Sequence, residues 1–239
     1  HHPLSAREGT PPMGMGQEGY LYAFDISAAC AGFIFAMNIV EGFFKAGIYK
    51  TALIIGAETL SKVTDWSDRG TCVLFGDGAG AAVLKAEETG IIDMMMGADG
   101  TKGDVLACTS RTVGNFLTGT KPELGFMTMD GQEVFKFAVR KVPESVMELL
   151  QRTGTKKEDI KYYVLHQANE RIIEAAARRL KEPMEKFPMT IGQFGNTSTA
   201  SIPLLLDDMI QKDMLKRGDK IIMSGFGAGM TWGAVLMEW

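Results

Sequence analysis

Tyr20-Leu-Tyr-Ala-Phe-Asp-Ile-Ser27, two alanines, and then Cys30-Ala-Gly-Phe-Ile-Phe-Ala-Met-Asn-Ile-Val-Glu-Gly-Phe-Phe-Lys-Ala-Gly47 form the stretch on which the reading of this chain turns. The first segment is aromatic and apolar and reads as a strand. The second is apolar almost all round and stops at a glycine, which predicts a buried helix with a glycine cap. Cys30 then stands at a strand-to-helix junction. The first turn of a helix offers unpaired N–H groups and a positive dipole end, which favour a thiolate over a thiol. Cys30 is therefore a candidate nucleophile, against the plainer alternative of a buried, inert cysteine.

Downstream the same grammar continues. Thr51 to Glu58 reads as a strand, followed by a polar loop holding Asp65, Asp68 and Arg69. Apolar pieces at Val73–Phe75 and Ala79–Leu84 flank Gly76-Asp77-Gly78, and short strands with glycine punctuation suit a central sheet. Residues 97–128 lack sustained periodicity and read as a long excursion of the sort that carries binding surface. A helix is expected around Glu133–Arg152, and a strand at Tyr162–Leu165 precedes a helix at Asn169–Leu180. Another helix follows at Ser198–Met214, then strands at Lys220–Ser224 and Thr231–Met237. Strands alternating with helices predict parallel β-α-β units in a layered α/β protein, with two related halves plausible from the order.

Beyond the first two positions, His166 is the sole histidine, and it ends a strand, where parallel sheets bind ligands. It reads equally as a satisfied structural residue. Gly195-Asn196-Thr197-Ser198 opens a helix, so Asn196 is either a capping residue or a hydrogen-bond donor aimed at a carbonyl or developing anion. Gly76–Gly80 and Gly225–Gly229 both read GxGxG, yet strand-like sequence follows each, so the dinucleotide fingerprint fails its context test. Arg69 is either half of a solvated ion pair or a guanidinium that stacks on a base or binds phosphate. Arg178, Arg179 and Lys181 form a basic helix face, solvated or open to an acidic partner. Cys72 and Cys108 have weaker contexts than Cys30.

Composition excludes several classes. An apolar share of 46% over 239 residues supports a substantial core. The net charge of −4 gives no global reason to expect nucleic acid. No apolar run approaches the ~20 residues of a membrane span, and no secretory signal is visible, so a cytoplasmic location is expected. Three cysteines in no CxxC pair suggest neither a disulfide framework nor a zinc cluster. His1 and His2 read as a possible tag remnant, Pro3 to Gly19 as irregular, and the sixteen methionines as core filler.

Six strings then stand out together: Asp25-Ile-Ser-Ala-Ala-Cys30-Ala-Gly-Phe, Asp68-Arg69-Gly-Thr, Phe75-Gly-Asp-Gly-Ala-Gly-Ala-Ala-Val-Leu, His166-Gln-Ala-Asn169, Gly195-Asn-Thr-Ser198 and Gly225-Phe-Gly-Ala-Gly-Met-Thr-Trp-Gly233. In this order they resemble the β-ketoacyl-acyl-carrier-protein synthase III family of the thiolase superfamily, from about Tyr20 to Trp239. The resemblance implies a thiolase-like layered α-β-α-β-α architecture of two related halves. The first half would be incomplete, because the family's first β-α-β portion has only residues 1–19 in its place. The halves would span residues 20–128, with the nucleophile, and 129–239, with the histidine and asparagine.

It further implies a Cys30, His166, Asn196 triad that condenses a short acyl-coenzyme A with malonyl-acyl-carrier protein, by way of a Cys30 thioester, at the start of fatty-acid synthesis. The backbone N–H groups of Cys30 and Ala228 would form the oxyanion hole. Arg69 would contact the adenine end of coenzyme A, Phe75, Met129 and Phe135 would line the acyl tunnel, and Arg171 would meet the carrier protein. No cofactor is implied, acyl-coenzyme A being a substrate, and a homodimer is. The alternatives are an inactive or partner-dependent fragment, or a related acyltransferase with another acceptor.

Overall fold

The computed structural model describes residues 22–108, 115–121 and 125–239. The expected irregular segment at 1–19, and the start of the first expected strand, lie outside these. The elements are α1 (Gly32–Lys45), β1 (Thr51–Glu58), β2 (Gly78–Lys85), β3 (Ile91–Ala98), β4 (Leu106–Cys108), β5 (Met127–Met129), α2 (Gly131–Thr153), β6 (Ile160–Leu165), α3 (Glu170–Leu180), α4 (Ile191–Phe194), α5 (Ser201–Gln211), β7 (Lys220–Gly227) and β8 (Thr231–Glu238).

A four-stranded sheet in the order β3-β8-β7-β6 carries the core. Its two faces follow directly from alternation along each strand. On β7, Ile222 turns to one side, and Ile221 and Met223 to the other; on β6, Tyr163 and Leu165 oppose Val164 in the same way. One face meets α2 and α3 through Val146, Leu149, Ile173 and Ala176. The other meets α1 and α5 through Phe33, Ile34, Leu205 and Met209. Beyond α1 and α5 lies the β1–β2 pair, whose Ile54, Ala82 and Leu84 join that second core. The order is therefore helix, sheet, helix, sheet. Among the described residues no helix covers the outer face of β1 and β2, where Leu53, Ile55 and Val83 are exposed.

Local chemistry explains the ends of the helices. Asp130 caps α2 by accepting from the N–H groups of Gln132 and Glu133, and Gly154 closes it in the left-handed region with φ 67°. That cap starts the helix two residues before the expected Glu133. Gly47 follows α1 with φ 69° and donates to Phe44 O, as the glycine stop predicted. Only the first half of α1 is buried, through Phe33, Ile34 and Met37, so the helix is less enclosed than its composition suggested.

Three expectations are corrected. Residues 22–28 form no strand, because no neighbouring strand among the described residues pairs with them. Their rings pack locally instead, Phe24 meeting Tyr22 at 5.4 Å and Phe43 at 6.4 Å. Val73–Phe75 is a turn, with Phe75 alone bridged to Asn196. Among the described strands, parallel pairing occurs only between β6 and β7, since β8 returns beside β7 through a short turn and β3 pairs with it antiparallel. Strand β3, on the N-terminal side of residue 129, thus lies in the sheet of β6, β7 and β8.

Truncating Leu149, which is 0% exposed between α2 and the sheet, should cost about 2–5 kcal/mol as Leu149→Ala in urea unfolding. Val83→Ser, at a position 72% exposed, should stay within about 0.5 kcal/mol of the parent.

Candidate active site

Cys30 sits in a single 3-10 turn, Ala29–Ala31, immediately before α1. Strand β7 passes so close that a Cβ built on Gly227 would lie 2.5 Å from Cys30 N, and one on Gly225 would lie 3.4 Å from Cys30 O. Glycine at 227 is therefore obligatory for this approach. Ala29 takes φ 46°, a left-handed conformation unusual for a residue with a side chain. The turn is tied down by Thr231, whose hydroxyl reaches Ala28 O at 3.1 Å and Ala228 O at 3.2 Å.

His166 follows the last residue of β6, and its N–H donates to Ser224 O on β7 at 2.8 Å. Its ring lies edge-on to Phe226, 5.4 Å between centroids, and is buried. Nδ1 is 2.6 Å from Ser201 Oγ, which also accepts from Gln167 N at 3.3 Å. The Ser201 hydroxyl can donate to Nδ1 or accept from it, and when it donates, the neutral ring carries its proton on Nε2. Nε2 has no hydrogen-bond partner among the described residues.

Asn196 is set by the backbone bridge to Phe75: its N–H donates to Leu74 O and its carbonyl accepts from Gly76 N, both at 2.9 Å. Its side-chain Oδ1 accepts from Ser198 N at 2.9 Å, which leaves Nδ2 as an uncommitted donor among the described residues.

These three residues line one cavity of about 210 Å³, together with Leu74, Phe75, Leu106, Met129, Phe135 and Phe226. Gly70, Gly131, Val134, Ala168, Asn169, Ile172 and Gly227 complete the wall. So Cys30, His166, Asn196, Phe75, Met129 and Phe135 are brought together. Arg69 is exposed and does not line the cavity, although its neighbour Gly70 does. Ala228 also lies off the wall, one residue beyond Gly227. Arg171 is exposed on α3, with its guanidinium 5.6 Å from the centre of the Phe135 ring. Asn169 serves as the N-cap of α3. Arg179 of the basic helix face pairs with Glu144 at 3.8 Å.

The electrostatics differ from the thiolate expectation in one respect. Burial pushes the Cys30 thiol up to about 11, and the charge of Glu58 pushes the same way, against a hydrogen bond from Ser198 that lowers it. Desolvation outweighs the helix end, so the resting group is a thiol. Burial lowers His166 to about 3, and the ring is neutral at physiological pH.

The family model for 3-oxoacyl-[acyl-carrier-protein] synthase III matches residues 24–100, and that for the synthase III C-terminal part matches residues 150–239. The chain belongs to the 3-oxoacyl-[acyl-carrier-protein] synthase III family. It is 52% identical to the β-ketoacyl-[acyl-carrier-protein] synthase III of Clostridium novyi over 218 residues, 90% of this chain and 67% of that one. Among solved structures, the synthase III of Aquifex aeolicus superposes with a TM-score of 0.83 at 45% identity, covering 92% of this chain and 68% of the other. The Pseudomonas aeruginosa protein of the same family gives 0.86 at 38%, covering 91% and 67%. The chain thus spans about two thirds of the length of these relatives, and the thiolase-like α/β fold is shared.

Ser201 and Glu58 were not singled out from sequence, though Ser201 touches His166 and Glu58 holds the Ser198 hydroxyl. Ser201 lies 35 positions from His166 and Glu58 140 from Ser198, so no local pattern links them.

His166 makes stability fall with acid in a defined window. Below pH 6.5 the unfolded ring takes a proton that the folded ring refuses down to about 3, so stability drops as pH falls between those values. Urea unfolding at pH 5 should show about 2 kcal/mol less stability than at pH 7 from this group. The His166→Gln variant should lose that part of the dependence.

Proposed function

We propose that the chain is an acyltransferase that starts fatty-acid synthesis by decarboxylative condensation of a short acyl-coenzyme A with malonyl-acyl-carrier protein. The observation that carries this reading is the convergence of Cys30, His166 and Asn196 on one largely apolar cavity in a member of this family.

In the first half-reaction the Cys30 sulfur attacks the donor thioester carbonyl. The carbon–sulfur bond to coenzyme A breaks, and the departing thiolate takes up a proton as the Cys30 thiol gives one up. Backbone N–H groups of Cys30 and Ala228 would hold the transient oxyanion. In the second, the malonyl carbon–carbon bond to the carboxylate breaks and releases carbon dioxide. The electron pair left behind forms an enolate, whose carbon attacks the Cys30 acyl carbonyl; the carbon–sulfur bond breaks, and the sulfur leaves as a thiolate that takes a proton from solvent to become the thiol again. With the ring proton on Nε2, His166 Nε2–H and Asn196 Nδ2–H are two donors, uncommitted among the described residues, suited to that enolate oxygen, a charge absent from either ground state. A neutral imidazole suits this role, since it donates without becoming a base.

Phe75, Met129 and Phe135 would bound the acyl group, Arg69 would meet the nucleotide end of the donor, and Arg171 the acidic carrier protein. The division into halves at residues 20–128 and 129–239, a homodimer and a cytoplasmic setting belong to the same proposal. The exposed apolar face of β1 and β2 supports association with a further surface. No described helix is long and apolar enough to cross a membrane. The reading requires no cofactor, acyl-coenzyme A being consumed as substrate.

Incubation with radiolabelled acetyl-coenzyme A, followed by peptide mass analysis, should place the label on Cys30, and Cys30→Ala should abolish it. His166→Ala and Asn196→Ala should still acquire label but lose condensation with malonyl-acyl-carrier protein by about a hundredfold or more. Equal loss of both steps in all three variants would sink this assignment of roles.

A further inference from the structure

Thr199 lies where three elements meet. A Cβ on Gly32, at the start of α1, would come 3.0 Å from Thr199 Oγ1, and one on Gly56, in β1, would come 2.8 Å from Thr199 O. Both glycines leave room for this residue. The hydroxyl of Thr199 donates to Ala29 O at 2.7 Å, on the left-handed residue just before the nucleophile. The Thr199 backbone N–H, in turn, donates to Glu58 Oε1 at 3.4 Å, and the Ser198 hydroxyl reaches the same oxygen at 3.1 Å. Ser198 is itself held at φ 52°, and its N–H supports Asn196 Oδ1. Glu58, the last residue of β1, thus anchors one segment that touches both the Cys30 turn and the Asn196 side chain.

We propose that Glu58 is a positioning residue for the nucleophile, its Oε1 fixing Ser198 and Thr199 so that Thr199 can hold the strained turn carrying Cys30. The proposal rests on the reading of Cys30 as the acylated residue. Two left-handed residues, Ala29 and Ser198, need such over-determination to persist, and one shared acceptor supplies it to both.

The same carboxylate has a second consequence. The Ser198 hydroxyl donates to Glu58 at 3.1 Å and also favours the ionised form of Cys30. Glu58 also carries a negative charge that acts on the thiol and opposes its ionisation. His166, the other titratable group on the cavity wall, is neutral. Asp77, across an open cleft from Glu58, is engaged by the N–H and hydroxyl of Ser61 and lies beside Lys62. Glu58 therefore fixes the nucleophile's geometry and adds its charge to the burial that keeps Cys30 a thiol.

The two parts separate in the variants Glu58→Gln and Glu58→Ala. Glutamine keeps an acceptor oxygen and loses the charge; alanine loses both. Acetyl transfer to Cys30 should fall about tenfold to a hundredfold in Glu58→Ala, and Glu58→Gln should restore most of it. Iodoacetamide alkylation of Cys30, followed against pH by peptide mass, should have a lower midpoint in Glu58→Gln than in the parent. Thr199→Val, which keeps the volume between Gly32 and Gly56 but removes the bond to Ala29, should slow acetyl transfer like Glu58→Ala and serves if that variant does not fold. Parent-like acetyl transfer in folded Glu58→Ala and Thr199→Val overturns the proposal, as does a Glu58→Gln variant no better than alanine or with an unmoved alkylation midpoint. Should the parent fail to acquire acetyl label at all, the functional reading falls, while the alkylation profile still tests the charge of Glu58 on Cys30.

Discussion

Strand β7 meets the turn carrying Cys30 backbone to backbone, and that contact sets the positions of most other groups around it. Gly225 and Gly227 face Cys30 O and Cys30 N, where any side chain at 227 would collide. On its parallel edge β7 receives β6, and Ser224 O then fixes the backbone of His166. On its other edge β8 returns after a short turn, which brings Thr231 against Ala28 and Ala228. One strand in the middle of the sheet therefore sets the nucleophile, the histidine and the turn beside both. Because the contact is main chain to main chain, it has little room to relax by changing rotamers.

Asn196 reaches the same place by a different route. It is held through Phe75 and Gly76, from the segment leading into β2, and through Ser198 to the end of β1. The β1–β2 pair is separated from the main sheet by α1 and α5, so the cavity is assembled across two layers. Packing of α5 on both sheets, with Leu205 and Met209 fully buried, is what keeps the two routes in register.

Much of this was legible in the sequence. The limits of β1 matched the expected Thr51–Glu58, and β6, β7, β8, α2 and α3 fell close to their expected places, because each has a clear period and a turn or capping residue at its ends. Residues 22–28 have strand composition, but a strand is made by its partner, and composition does not report one. Strand β3 escaped notice because its Met94-Met95-Met96 core reads as flexible filler rather than as alternation. At the site, residue type drew attention to Cys30, His166 and Asn196, and the family resemblance gave them roles. Ser201 and Glu58 carry no local signal, since a serine opening a helix and a glutamate ending a strand are ordinary until folding joins them to distant partners. The protonation of Cys30 was misjudged for a related reason: a helix end is visible in sequence, whereas the depth of burial that overrides it is not.

The cavity also bears on the lifetime of whatever Cys30 carries. A space of about 210 Å³ is large enough to admit water. Half of its lining residues are leucine, methionine, valine, isoleucine or phenylalanine, which give a water few partners. A histidine held neutral down to about pH 3 is too weak a base to activate one. On the proposed reading, the acyl group would sit in a largely apolar chamber whose described residues include no base strong enough to drive hydrolysis, so the enzyme could wait, loaded, for its second substrate to arrive.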